Sequence, residues 1–130
     1  MTNKHKIILD KLRAYLEQNP SQRFGQALFN LGINEFKENE EFQLRDIHRD
    51  QDSIIINRIE KQLTWFDLQK KVQIGVEKVE GIGGMTVNER LCASDLSNLF
   101  YEVRENNKEH ARFILKALKV DELSIVQILK

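Results

Sequence analysis

The residues of this chain that could do chemistry are few, and none of them forms a complete set. The triplet His48-Arg49-Asp50 matches the start of a protein-kinase catalytic loop, but no D-F-G segment follows and no glycine-rich loop precedes a strand lysine. Asp50 and Asp52 have the spacing of the first ligands of a calcium loop, yet its sixth position is not glycine and its twelfth, Lys61, is not glutamate. We interpret this segment as a solvated polar loop.

A cluster of three glycines, Gly81-Ile82-Gly83-Gly84, precedes a T-x-x-E capping box formed by Thr86 and Glu89. Glycines ahead of a helix N-terminus are an arrangement that can bind phosphate. The spacing matches neither G-x-G-x-x-G nor G-x-x-x-x-G-K-[ST], and no strand is predicted before it. We therefore predict that one helix stops here and a capped helix begins.

The sequence also contains no set of residues spaced for metal binding or for nucleophilic catalysis. His5, His48 and His110 are far apart, and none has a His or Cys neighbour at helical spacing. Cys92 falls on an inward position of a helical period, so we predict a buried thiol rather than a nucleophile. We expect no catalytic residue, no metal and no cofactor, and we interpret the protein as a non-enzyme.

Composition excludes some partners. Lys plus Arg equals Asp plus Glu at 20 each, so no net charge attracts nucleic acid or an anionic membrane. The single cysteine rules out an internal disulfide, and no apolar run has the length of a signal-peptide core or a membrane span. We expect a cytoplasmic protein.

Apolar residues recur at three-four spacing and predict an all-α fold, a compact helical bundle of about five to six helices. Helix one ends at Asn19-Pro20, and helix two ends at Gly32. The apolar face of helix two is predicted to comprise Phe24, Ala27, Leu28 and Leu31.

Residues 34–52 carry seven acidic and three basic side chains and no sustained apolar period. They predict a long acidic loop after helix two, with one short helical turn around Leu44 to His48. Two large aromatics would be unusual if fully exposed on a loop, so we expect Phe36 and Phe42 to pin it to the core.

Residues 52–80 contain two apolar stripes that a straight helix cannot turn toward one core. Thr64 and Asp67 form a second capping signature, so we predict a break or bend near Thr64. The alternative is one long helix with two separate buried faces. The two stripes are Ile55, Ile59, Leu63 and Phe66, and Trp65, Leu68, Val72, Val76 and Val79.

After the glycines we predict a helix from Val87 to about Glu105, a second that Asn107 caps, and a short last helix that Asp121 opens. The domain boundaries follow: a helical unit over 1–63 and another over 64–130. We expect the second unit to pack on the first or to share one core with it, with Trp65 and Phe66 at the seam.

Two stretches resemble uncharacterised short bacterial helical proteins. R-F-G-Q-A-L-F-N-L-G-I, from Arg23 to Ile33, with the later L-R-D-I-H, is similar to one group. G-M-T-V-N-E-R-L, with the D-L-S-N-L-F that follows, is similar to a second, in which the pattern often begins the protein. Together they cover about two thirds of the chain. The resemblance implies no activity, but it suggests that Met85 marks a junction between two fused modules.

DNA binding through helix two is disfavoured. Ala27 and Gly32 are one residue too far apart for the A-x-x-x-G core of a helix-turn-helix, and the segment that follows is acidic rather than basic.

The function that we predict is a protein–protein interaction module. Its candidate surface is Arg23, Phe29 and Asn30 on helix two, with Glu40 and Glu41 from the acidic loop. An immunity- or antitoxin-like inhibitor, with the loop as a decoy for a basic partner, is the first alternative. A nucleic-acid-associated regulator and a small enzyme with an unrecognised site are further alternatives. The structural alternative for Phe29 is that it packs against the loop.

The partner that we expect is another protein. We expect no membrane partner, since no apolar run is long enough to span one and the charges balance; a nucleic acid is disfavoured, and a homo-oligomer stays open.

Overall fold

The structure, a computed structural model, describes the backbone of residues 1–130 and the side chains of all of them except Glu41. Over the described residues the chain forms seven α-helices, one 3-10 turn and one two-stranded antiparallel sheet. The mostly helical class is confirmed. The count of five to six helices is too low, and a small sheet lies where a loop was expected. The chain divides into two compact units, residues 1–64 and 65–130.

The N-terminal unit, residues 1–64, contains a helix of 16 residues, a short helix and the sheet before a long helix begins. These elements are α1 (Asn3–Gln18), α2 (Phe24–Asn30), β1 (Phe36–Lys37), β2 (Glu40–Leu44) and the first half of α3 (Asp52–Glu77). Thr2 caps α1, because its hydroxyl accepts a hydrogen bond from the His5 N–H at 3.1 Å. The buried apolar residues are Leu12, Tyr15, Ala27, Leu31 and Ile59.

The apolar face predicted for α2 is only partly correct. Ala27 and Leu31 are fully buried, whereas Phe24, in the first helical position, is 59% exposed. Gly32 has φ +74° and stops the helix as predicted.

The acidic segment folds as an antiparallel ribbon. Phe36 lies opposite Leu44 and Lys37 lies opposite Glu40, with an irregularity in the register between them. The Arg45 N–H donates to the Glu35 carbonyl at 3.0 Å and extends the pairing by one residue. The predicted helical turn around Leu44 to His48 is therefore wrong, since Leu44 and Arg45 pair with the neighbouring strand and the residues after them form only a turn that the Asp50 N–H closes on the Ile47 carbonyl.

α3 is continuous across Thr64, so the predicted break is wrong and the alternative of one long helix is confirmed, while a bend there stays a prediction. Ile59 is buried in its first half, and Leu68 and Val72 are buried in its second half. Asp67 does not cap a new helix, because α3 runs without interruption from Asp52 to Glu77; its carboxylate lies 3.0 Å from Lys71 one turn later. The two apolar stripes are successive faces of one helix.

The C-terminal unit, residues 65–130, contains the second half of α3, a 3-10 turn (Ile82–Gly84) and four short helices. These are α4 (Val87–Ala93), α5 (Ser97–Asn106), α6 (Lys108–Ala117) and α7 (Glu122–Ile128). Its core is the larger of the two. The fully buried members of this core are Val72, Leu91, Phe100, Ala111, Ile114, Leu115, Leu118 and Ile125.

The predicted helix from Val87 to Glu105 is in fact two helices. α4 ends at Ala93, Asp95 takes a left-handed conformation with φ 63°, and α5 starts at Ser97. The Leu96 N–H returns to the Leu91 carbonyl at 3.0 Å, a bond that closes the end of α4. The turn sets the exposure of nearby residues. Cys92 is exposed and Ser94 is buried, so the prediction of a buried thiol is wrong.

The helix starts predicted after the glycines are confirmed. Thr86 and Glu89 form the capping box: the Thr86 hydroxyl accepts from the Glu89 N–H at 3.2 Å, and the Glu89 carboxylate accepts from the Thr86 N–H at 3.0 Å. Asn107 caps α6, and Asp121 caps α7. Over the described part of the chain, no helix combines the length and the apolar character needed to cross a membrane.

Candidate functional site

Three phenylalanines of the N-terminal unit stack in a row from α2 onto the ribbon. The rings of Phe29 and Phe36 are 4.8 Å apart and nearly parallel, at 24°. The ring of Phe42 meets that of Phe36 edge-on at 6.2 Å and 73°. Leu44 lies opposite Phe36 in the ribbon and is exposed, and directly opposed residues share one face. We call Phe29, Phe36, Phe42 and Leu44 the hairpin surface.

The prediction that Phe36 and Phe42 pin this segment to the core is wrong. Phe36 is 47% exposed and Phe42 is 83% exposed. The rings pack on one another and on Phe29 rather than into the buried core. The structural alternative for Phe29, packing against the segment after α2, is what the geometry shows, and it leaves a cluster of aromatic carbon open to solvent.

A recess of about 480 Å³ opens on the hairpin surface and is lined by Phe36, Lys37, Asn39, Glu40 and Phe42. Lys37 and Glu40 are 4.0 Å apart across it. Lys37 is the one base of the ribbon, residues 36–44, which carries three glutamates in its sequence. The recess therefore combines aromatic rings with one Lys–Glu pair, on a ribbon that is acidic overall.

Phe42 has an unusual backbone. Its φ is 67°, in the left-handed region that bulky residues rarely adopt. Asn39 has φ 62° in the turn, but asparagine tolerates that region. This backbone conformation places the large Phe42 side chain in an exposed position. Burial of the ring therefore does not offset the strain.

An ion-pair network holds the ribbon and the turn after it against α3. Asp50 accepts a two-pronged hydrogen bond from Arg45, with Nη1 to Oδ1 at 3.0 Å, and a further bond from Arg58 Nη1 at 2.8 Å. Glu35 accepts from Arg45 Nε at 2.7 Å. Arg58 also donates to the backbone carbonyls of Gly32 at 2.7 Å and Ile33 at 3.1 Å.

The electrostatics of this network follow from its contacts. The hydrogen bonds from Arg45, and then those from Arg58, lower the pKa of Asp50 from 3.8 to about 2 despite partial desolvation. The hydrogen bonds that Arg45 donates to Asp50 and Glu35 raise the pKa of Arg45. Two guanidinium groups face two carboxylates, so the charges are compensated and the network is a structural anchor rather than a proton-transfer site.

Sequence reasoning missed this anchor. The His48-Arg49-Asp50 segment was predicted to be a solvated loop, but the Asp50 side chain is only 14% exposed. Arg58 lies 26 residues after the carbonyl that it contacts at Gly32. The sequence contained no signal for that contact beyond an arginine on the first turns of a helix.

The predicted interaction residues lie in different surroundings. Phe29 belongs to the hairpin surface, and Glu40 borders its recess. Arg23 is exposed at the start of α2, where its N–H donates to the Gln26 side chain at 3.0 Å. Asn30 donates to the Tyr15 hydroxyl at 3.2 Å and to the Gln22 side chain at 3.0 Å. The Glu41 side chain lies outside the described residues.

A second concave surface lies in the C-terminal unit, where Trp65 of α3 meets α6. Its indole stacks on the His110 ring at 5.2 Å and 25° and meets the Phe113 ring edge-on at 4.8 Å. These rings border a cleft of about 430 Å³, which we call the Trp65 cleft. Its lining is completed by Glu109, Arg112 and Lys116.

Metal chemistry finds no support among the described side chains, since no group of three or more His, Cys, Asp or Glu residues is arranged to hold a metal ion. The chain is thus a mostly helical protein with one exposed aromatic ribbon and one aromatic cleft. No protein-family model, no curated protein and no solved structure matches it. The resemblance to two bacterial patterns stays a hypothesis.

Proposed function

We propose that this protein is a non-enzymatic interaction module and that its hairpin surface docks on a partner protein. The observation that carries the proposal is the Phe29–Phe36–Phe42 stack, whose outermost ring is 83% exposed. Exposed aromatic clusters of this kind mark interaction sites, because burying them against a partner removes apolar area from water.

The Arg45–Asp50–Arg58 network supports the proposal through preorganisation. The network connects the residues on either side of the ribbon to one another and to α3. It does so through five hydrogen bonds of 2.7 to 3.1 Å, which Arg45 and Arg58 donate to carboxylates and backbone carbonyls. A ribbon held before binding loses less conformational entropy when it docks. Aromatic side chains, phenylalanine among them, are enriched in protein interfaces relative to the rest of the surface.

The charge of the ribbon defines the partner. Lys37 is its one base against Glu38, Glu40 and Glu41, so the ribbon that carries the surface is acidic overall. The partner that fits is a protein with an apolar socket bordered by lysine or arginine. Complementary charge at the border would mainly raise the association rate and make it sensitive to salt.

Quantitative affinity purification with three baits tests the proposal. Wild type, Phe42→Ala and Leu123→Ala are compared, because Leu123 is also highly exposed but lies on α7 in the other unit. We expect one partner to be recovered with the wild-type and Leu123→Ala baits and to be lost with the Phe42→Ala bait. The affinity of that purified partner for wild type should fall as the salt concentration rises. Equal recovery with all three baits would contradict the proposal. Self-association that Phe42→Ala abolishes would instead identify a second copy of this chain as the occupant.

A further inference from the structure

The Trp65 cleft carries unused hydrogen-bond donors beside its aromatic rings. Arg112 donates through Nη2 alone, to both carboxylate oxygens of Glu122, at 2.7 and 2.5 Å. Its Nε and Nη1 groups make no hydrogen bond to any described residue. Lys116 lies 3.0 Å from the same Glu122 carboxylate. A guanidinium has five N–H donors in a planar fork and an ammonium has three, so a single carboxylate leaves most of this capacity open.

Glu122 is positioned to be displaced. Its side chain is 53% exposed, and the hydrogen bonds from Lys116 and then Arg112 lower its pKa, so it is ionised at neutral pH. Exposed ion pairs contribute little to stability, because solvent screens them and the side chains lose entropy. An incoming carboxylate could therefore take over part of the coordination of both cations at low cost.

We propose that the Trp65 cleft binds a planar aromatic carboxylate. The aromatic ring would pack against Trp65 and Phe113, and the carboxylate would bind the free donors of Arg112 and Lys116, next to or in place of Glu122. This site lies in the C-terminal unit and does not depend on the proposed role of the hairpin surface.

The residues that line the cleft disfavour other classes of ligand. A cationic ligand would gain from the rings, but it would face the Arg112 guanidinium and the Lys116 ammonium at the same cleft. A purely aliphatic ligand would leave the guanidinium donors of Arg112 without an acceptor. Glu109 also lines the cleft, which limits the site to an anion of low charge rather than a polyanion.

NMR titration of the full chain tests the proposal. Trp65 is the one tryptophan, so its indole N–H gives a single, assignable signal at the cleft. The probe is 2-naphthoate, and 2-naphthamide is the neutral control with the same ring system. We expect the Trp65 signal to shift with 2-naphthoate at a Kd of about 1 mM, usual for a ligand of this size, and to shift at several-fold higher concentration with the amide.

Two variants separate recognition from folding. Arg112→Gln should weaken 2-naphthoate binding about fivefold, the upper range for an exposed ion pair, and leave 2-naphthamide binding unchanged. Glu122→Gln should strengthen 2-naphthoate binding, because it releases both cations from their internal carboxylate. Arg13→Gln, at an exposed position of α1 in the other unit, should change neither.

Three results would overturn the proposal. The first is an unmoved Trp65 signal with both probes. The second is equal affinity for the acid and the amide in the wild type, which would show an apolar cleft without carboxylate recognition. The third is weaker 2-naphthoate binding in Glu122→Gln, which would show that Glu122 supports the site rather than competes for it.

Discussion

Gly75 of α3 lies so close to the backbone of Ser94 that a Cβ built on residue 75 would be 2.7 Å from the Ser94 carbonyl oxygen. The same Cβ would be 2.9 Å from Leu96 Cγ. Glycine inside a helix normally costs stability relative to alanine, by about 1 kcal/mol. Here it allows α3 to approach the turn between α4 and α5, at the place where the predicted single helix is interrupted.

Gly75→Ala is therefore expected to lower the free energy of unfolding by about 1 to 3 kcal/mol, because the backbone oxygen that it meets cannot move aside as a side chain could. Urea unfolding followed by circular dichroism measures this. Gly25→Ala is the matched control, since a Cβ at residue 25 of α2 would have nothing within 4 Å. That control should be neutral or up to about 1 kcal/mol more stable. Equal stability of the two variants would show that the close approach does not exist.

The pH dependence of stability should report the Asp50 anchor. The pKa of Asp50 is lowered from 3.8 to about 2 by the hydrogen bonds from Arg45 and Arg58. Its stabilising contribution is therefore present above pH 4 and is lost as the pH falls toward 2. Unfolding measured by urea at pH 7, 4 and 2.5 should show a smaller acid-induced loss in Asp50→Asn than in wild type. Asp67→Asn removes an exposed surface pair and should follow wild type.

Arg58→Lys tests whether the guanidinium fork, rather than charge, holds the ribbon. Lysine keeps the charge but cannot reach Asp50, Gly32 and Ile33 at once. We expect a loss of about 1 to 3 kcal/mol in the free energy of unfolding and faster hydrogen exchange at the Arg45 amide, which pairs with Glu35. Lys61→Arg, the reverse change on the exposed side of α3, should leave both measurements unchanged. Unchanged exchange at Arg45 in Arg58→Lys would contradict the anchoring role.

Phe42→Gly separates stability from binding. Glycine adopts a φ of 67° without strain, so the variant should be as stable as wild type or up to about 1 kcal/mol more stable. It also removes the outermost ring of the hairpin surface, and partner binding should fall. Asn39→Gly, with φ 62° in the same ribbon, should change stability little, because asparagine already tolerates that conformation. A large loss of stability in Phe42→Gly would show that Phe42 is a packing residue instead.

The starts of the later helices could be read from the sequence alone. Thr86 bonds to Glu89, Asn107 bonds to Glu109 and His110, and Asp121 bonds to Ser124, all within three residues. A capping bond of this kind depends only on residue types one turn apart. The mostly helical class follows from the same local level, since apolar spacing is also set within a few residues.

The predictions that were wrong concern residues whose surroundings are set by packing with distant parts of the chain. Thr64 and Asp67 have the residue types of a cap, yet α3 continues through them because each half buries its own stripe. Phe36 and Phe42 have the residue type of a core, yet they stay exposed because the ribbon pairs with itself and is anchored by charge. Apolar type alone does not say which neighbour covers a ring.

Both candidate sites are decided by the tertiary structure. Arg58 reaches carbonyls 25 and 26 residues earlier, and the Trp65 indole stacks on His110, which lies on a separate helix. Local residue types determined which segments are helical and where several of those helices begin, because those choices are made by bonds within one turn. Which side chains share a surface depends on how helices and ribbon pack across long stretches of sequence, and only the folded chain brings those side chains together.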